Sequence, residues 1–433
     1  MKFREYLQLA LPLTISTITQ PLLGAVDTAV VGRLEDSVYL GGVAVGAVIF
    51  STIYWLFGFL RINTSAYSAQ ALGSQKKEDK ISSYFMPAVI AFFLGLSFLI
   101  LQLPIFSLAQ KIMDLKTVDV MEQANIYYRI LIWGAPMVLI GYVNLGWLMG
   151  QKKIKQSMFL QISANILNII LDILFVHKWG MKVEGVAYAT LISQCFSFAV
   201  GLFWIHQELH LFSLFLKGIH SFRKSAVTKF FIANTDLMIR TICLLTMTNM
   251  FVSKGSDFGK DILAANSLLF QIQYIISYFF DGFGNASSIL AGESKGKKDK
   301  AMFRSLMKVS NQAIVGVSLF LFTVISIYPK GVISIFTSLP EIQNFAEIYY
   351  FWIQIFPFII GVGLVYYAIF IGISNTSDIR NSMLFSLSLF LLSYYYIIPR
   401  FENHGLWLSF LIFSFGRSIY LFICIRKKNM LKF

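Results

Sequence analysis

The chain has 433 residues, of which 57% are hydrophobic and 13% charged, about half the roughly 25% charged share of a soluble domain. That composition excludes a water-soluble globular protein, and a net charge of +14 carried beside long apolar flanks points to membrane topology and anionic-lipid contact instead of nucleic-acid binding. Three cysteines, Cys195, Cys243 and Cys424, stand singly in apolar stretches, which argues against a disulfide framework and a thiolate metal site.

Apolar segments of about 20 residues, long enough to cross roughly 30 Å of hydrocarbon, succeed one another along the chain. They cover 6–33, 38–72, 82–107, 123–150, 156–177, 183–206, 224–252, 261–292, 304–328, 344–372, 381–399 and 405–426. The fold they predict is an all-α integral membrane protein of twelve transmembrane helices. The first segment carries Pro12 and Pro21, runs past signal-peptide length and is followed by no convincing small-residue cleavage site, so it reads as a retained helix.

That first helix contains Asp27, close after Pro21 and Gly24, residues that bend helices and free backbone groups for a ligand. A carboxylate at membrane depth costs at least about 2.5 kcal/mol on insertion scales, which makes it a functional candidate. Gln20 precedes it on the same helix. The second span holds Arg61, and the fourth holds Tyr127, Tyr128 and Asn144. On the fifth, Asn168 and Asp172 are spaced i, i+4 and so share one face. Their oxygens, with the Thr190 hydroxyl on the sixth helix, are hard donors suited to a small cation such as sodium, or to a proton relay. The bland alternative is that Asn168 and Thr190 merely knit helices together. Arg240 on the seventh helix and Asp281 on the eighth most economically neutralise one another. Arg61 either meets Asp281 across the two halves or extends its long side chain to an interface.

Lysine and arginine resist export. They concentrate in the loops on the side of the two chain ends: Lys76, Lys77 and Lys80; Lys152, Lys153 and Lys155; Lys217 to Lys229; Lys295 to Arg304; Arg380; and Arg426 to Lys428. Both termini are therefore expected in the cytoplasm, with the protein in the inner (plasma) membrane.

The chain also repeats itself at an interval of about 220 residues. Ala71 to Lys77 resembles Glu293 to Lys298. Gly150-Gln151-Lys152 lines up with Gly372-Ile373-Ser374, and Glu184-Gly185-Val186 with His404-Gly405-Leu406. Two parallel six-helix repeats follow, pseudo-symmetric lobes at 1–205 and 230–433 about a central cleft, joined by a cytoplasmic linker at 206–229. The second repeat has Tyr394-Tyr395-Tyr396 where the first has Asp172, so ion coupling belongs to the first lobe.

Gly24-Ala25-Val26-Asp27-Thr28-Ala29-Val30-Val31-Gly32, the loop ending at Gly73, the Asn168/Asp172 pair and Arg240-Thr241 together resemble the multidrug and toxic compound extrusion (MATE) transporters. Phe59-Leu60-Arg61 and Asp281-Gly282-Phe283 are similar to its DinF-like branch. The resemblance implies a twelve-helix antiporter that expels amphipathic organic cations in exchange for protons or sodium. It also implies that Asp27, Asn168, Asp172 and Thr190 form one coupling cluster, to which Gln20 and Asn144 are candidate additions; Tyr127 and Tyr128 are candidates for the drug cavity.

No phosphate-binding loop, histidine metal spacing or clustered nucleophile is present. The expectation is a transporter and not an enzyme, driven by an ion gradient without any cofactor. Its partners are small organic cations and membrane lipids, and nothing requires more than a monomer. The alternative is a flippase for lipid-linked oligosaccharide or peptidoglycan precursors, which would show an arginine-rich cavity for pyrophosphate and extra helices. On sequence only Arg61 and Arg240 read as arginines deep in helices.

Overall fold

A computed structural model describes residues 2–31, 37–113, 118–210 and 224–427, with the backbone alone at 19–31, 37, 224–227, 229 and 427. Every regular element among the described residues is a helix. Ten helical segments there are long and apolar enough to cross a membrane. The polarity is inverted relative to a soluble protein: Ile100 and Ile327 are 72% and 75% exposed, while Asn144, Thr64, Asp172 and Ser287 are sealed at 0%. Outward apolar side chains suit lipid, and inward polar ones find protein partners that lipid cannot offer.

Several expected spans are broken helices. The first is α1 (Phe3–Val31). The second divides at Gly58 into α2 (Ser37–Leu56) and α3 (Phe59–Ser74). The third is α4 (Lys77–Ile100), followed by α5 (Gln102–Met113). The fourth is α6 (Val118–Leu131), a 3-10 turn over Ile132–Gly134, and α7 (Ala135–Gly150). Pro136 lacks the amide hydrogen needed to continue α6 into α7, which accounts for that turn. The fifth is α8 (Ile154–Asp172), which widens into a π-helical turn over Ile173–Lys178. The sixth is α9 (Val183–Leu209). Positions 211–223 of the expected linker lie outside the described residues.

The second half comprises α10 (Lys224–Ser256), α11 (Lys260–Lys297), α12 (Lys300–Ile327), the short α13 (Pro329–Ser334), α14 (Pro340–Gly372), α15 (Thr376–Tyr396) and α16 (Ile398–Lys427). Serines lower the hydropathy of α15, yet Ser382, Ser386 and Ser393 are buried and each donates to a carbonyl one turn back. Their hydroxyls are thereby satisfied within the helix.

The chain forms two units, one of Ile18–Phe230 and one of Met1–Thr17 with Phe231–Phe433. The start of α1 joins the second unit for visible reasons. Tyr6, wholly buried, donates to the Phe283 carbonyl at 3.0 Å and meets the Ser287 hydroxyl at 2.8 Å. Thr17 donates to the Tyr278 carbonyl at 3.0 Å. A side chain at Gly282 would fall 2.3 Å from the Thr14 Cα, so glycine there lets α1 and α11 touch backbone to backbone.

The repeat is written in the backbone. Gln75 and Lys298 share a left-handed φ of 56° and 57°, Lys152 and Ser374 of 58° and 53°, and Gly180 and Glu402 of 68° and 48°. The last two pairs are spaced by the interval that relates Gly150 to Gly372, and the first by one residue more. Those two glycines do the same job: a Cβ on Gly150 would lie 2.4 Å from the Ser65 carbonyl oxygen, and one on Gly372 2.2 Å from that of Ser288. In each unit a glycine ending one helix seats it on the backbone of another.

Candidate functional site

The fifth membrane span sorts its residues sharply. Ile166, Ile170 and Ile173 are about half exposed, whereas Asn168 and Asp172 are buried at 2% and 0%. The i, i+4 spacing thus turns both polar groups away from lipid and toward α9. The Asn168 side-chain amide donates to the Thr190 hydroxyl at 3.3 Å, tying α8 to α9. Asn168 Oδ1, also buried, accepts no hydrogen bond among the described residues. A buried carbonyl oxygen left this way costs about 1–3 kcal/mol.

Asp172 closes α8, and the π turn begins at the next residue. Such turns insert an extra residue per turn and frequently accompany functional groups. A further oxygen was not anticipated from sequence. Gln194 lies one turn beyond Thr190 on α9, and its Oε1 is buried without a donor among the described residues. It points at the break between α6 and α7, where a Cβ on Gly134 would lie 3.0 Å away. The Thr190-x-x-x-Gln194 spacing was the available signal.

Asp27 and Gln20 lie on α1, but their side chains fall outside the described residues. Asn144 is committed elsewhere: it accepts from the Tyr84 hydroxyl at 2.9 Å and donates to the Phe198 carbonyl at 3.4 Å, which binds α7 to α4 and α9. Tyr127 and Tyr128 belong to an apolar core with Val43, Ile49 and Phe50. Tyr128 stacks on Phe50 and donates to the Gln102 carbonyl at 2.9 Å. Arg61 is half-buried on α3, within electrostatic reach of Tyr142. Among the described residues no three His, Cys, Asp or Glu side chains gather at one point.

The second unit holds a different cluster. Arg240 on α10 stands over the Tyr367 ring of α14, 4.4 Å from its centroid. Arg417 on α16 is 4% exposed and within electrostatic reach of Arg240, Asp281 and Tyr367. This corrects the sequence reading, which admitted only Arg61 and Arg240 as arginines deep in helices. Arg417 sits about 15 Å of helix short of Lys427. The overlooked signal was Gly416-Arg417-Ser418 inside an otherwise apolar run, masked by the basic end at Arg426 to Lys428.

Comparison with known proteins places the chain. The family model MatE matches residues 12–174 and 237–397. DNA damage-inducible protein F of Escherichia coli (strain K12) is 33% identical over 412 residues, covering 95% of this chain and 89% of its own. The probable multidrug resistance protein NorM of Photorhabdus laumondii is 22% identical over 452 residues, covering 99% and 96%. Among solved structures, a multidrug resistance MATE family transporter of the MOP superfamily, in an outward-facing conformation, superposes with a TM-score of 0.85 at 22% identity, covering 99% of this chain and 96% of that one.

Proposed function

Because this chain belongs to the MATE family of multidrug efflux transporters, and is therefore a multi-pass membrane transporter and not an enzyme, we propose that it exports amphipathic organic cations in exchange for protons or sodium. The reading rests foremost on Asp172 and Asn168, wholly buried on the protein side of a membrane helix beside Thr190. A carboxyl there binds a proton or a sodium ion, and the amide and hydroxyl oxygens supply the remaining hard donors. Asp27 is the second acidic member, on the helix that begins in one unit and continues in the other.

Antiport then needs only competition. A cationic substrate is held while the carboxylates are charged, and ion entry from outside neutralises them and releases it. Alternating access of the two units exposes the site to each side in turn. Both termini are cytoplasmic in this scheme, no cofactor takes part, and one copy of the chain suffices.

The test is efflux of a fluorescent organic cation from proteoliposomes under an imposed proton gradient and then a sodium gradient, comparing wild type with Asp27→Asn. Gradient-driven efflux that disappears in a well-folded Asp27→Asn protein names the ion and supports the coupling role. Equal transport by both proteins removes Asp27 from the mechanism. A folded wild type inert under both gradients shifts the weight to flipping of lipid-linked precursors, a reading to which Arg417 lends one more cationic group.

A further inference from the structure

Four helices of the second unit converge on a small basic centre. Arg240 comes from α10, Asp281 from α11, Gly363 and Tyr367 from α14, and Arg417 from α16. Gly363 makes the space: a Cβ there would lie 3.1 Å from Arg417 Nε and 2.6 Å from the Ser418 hydroxyl, so any larger residue would displace the guanidinium. Ser418 itself is turned away and donates to the Ile359 and Ser414 carbonyls. Nε of Arg417 and Nε of Arg240 are both buried without an acceptor among the described residues. Arg417 is sealed, while Arg240 and Asp281 are only partly buried.

The charge does not close. Among the described charged groups, Arg417 has one like neighbour, Arg240, and one opposite neighbour, Asp281. Asp236, one turn before Arg240 on α10, is already engaged by Arg380 at 2.8 Å and Thr376 at 2.7 Å. The Tyr367 ring face supports the Arg240 cation without accepting its edge N–H groups. Among the described charged groups that act on Arg417, Asp281 is the one carboxylate against two guanidiniums, which leaves one positive charge and directed donors inside a membrane protein, where unmatched charge is costly. Arginine forks are shaped for planar or tetrahedral oxyanions.

We propose that this centre is a binding site for one singly charged oxyanion, the carboxylate or phosphodiester of an amphipathic molecule, held by Arg417 and Arg240, with Asp281 limiting the net charge to one. The site belongs to the second unit alone and does not depend on the cation coupling assigned to the first.

The experiment uses the full chain in a neutral maltoside detergent and measures binding of a dansyl-labelled undecanoic acid and of its methyl ester. The acid is expected to bind wild type about tenfold or more tightly than the ester, and Arg417→Met to remove that difference while leaving ester binding unchanged. Acid and ester binding alike in wild type, or Arg417→Met binding the acid as wild type does, overturns the site. Asp281→Asn decides the matter should Arg417→Met not fold. An oxyanion site gains acid affinity, and the acid restores thermal stability to the variant; a purely structural triad loses stability with no gain in binding, which overturns the proposal. Repeating the titration in nanodiscs of phosphatidylcholine with and without phosphatidylglycerol identifies the source. Displacement of the probe by phosphatidylglycerol assigns the site to a lipid phosphodiester, and equal binding in both assigns it to a soluble carboxylate; either result sustains the oxyanion site.

Discussion

In the first unit Gly150 ends α7 against the Ser65 carbonyl, and in the second Gly372 ends α14 against the Ser288 carbonyl. The left-handed residues after these helices, Lys152 and Ser374, also correspond. Into these matched frames the chain inserts opposite chemistry. The first unit buries Asp172 with amide and hydroxyl oxygens; the second buries Arg417 beside Arg240 and a single aspartate. Backbone approach and site chemistry are thus specified by separate residues. Small residues at helix crossings hold the repeat, and a few ionisable ones decide what each half can bind.

Neutralising the acidic half should remove that contrast most completely. Asp172→Asn keeps the shape and removes the charge, and its position on α8 is packed, not lipid-facing. It is expected to abolish gradient-coupled efflux of an organic cation while leaving the detergent-solubilised thermal unfolding temperature near that of wild type. A variant that still couples transport normally would show that the buried carboxyl is structural. In the second unit Asp281→Asn is expected to leave cation coupling intact, so the pair of variants separates the two sites in one efflux assay.

A smaller effect sharpens the shared frame. Gly372→Ala and Gly150→Ala each force a Cβ to within 2.2 and 2.4 Å of a backbone oxygen, contacts that only a backbone shift relieves. Overpacking of this kind costs about 1–3 kcal/mol, and both variants should unfold at lower temperature. Gly141→Ala and Gly316→Ala, which meet nothing within 4 Å, should not. Equal behaviour of all four would mean that the close approaches are not what holds the repeat.

Much of this architecture was legible in the chain because lipid is an unforgiving solvent. Long apolar runs located the helices, and the Gly150 and Gly372 motifs located the repeat. The breaks were not legible. Gly58 and the Ile132–Gly134 turn interrupt runs that hydropathy joins, since hydropathy registers burial in lipid and is blind to backbone continuity. The pairing of Asn168 with Asp172 followed from helical spacing alone. The hydrogen bond from Asn168 to Thr190 required α8 and α9 to be placed side by side, which spacing within one helix does not supply. Tyr127 and Tyr128 read as candidates for the cavity because aromatic rings serve drugs and cores alike, and both rings pack against Phe50. Arg417 was hidden by its neighbours: a basic residue near a basic helix end resembles an interface anchor until its burial is measured.

The smallest expected effect concerns two carboxylates outside both sites. Glu208 gathers Lys80, at 3.1 Å, and Lys153, drawing the starts of α4 and α8 to the end of α9. Its side chain is 29% exposed, so water screens these pairs. Asp236 in the second unit binds Arg380 and Thr376 at only 3% exposure. An exposed pair contributes about 0–1 kcal/mol, whereas the buried Asp236 carboxylate holds Arg380, itself 34% exposed, and also accepts from the buried Thr376 hydroxyl. Glu208→Gln is therefore expected to lower thermal stability slightly, by less than Asp236→Asn, and the difference from wild type should shrink further in high salt. Equal losses for the two variants would mean that Glu208 is shielded far more than its exposure indicates. The three helix ends it joins would then be a structural hub of the first unit.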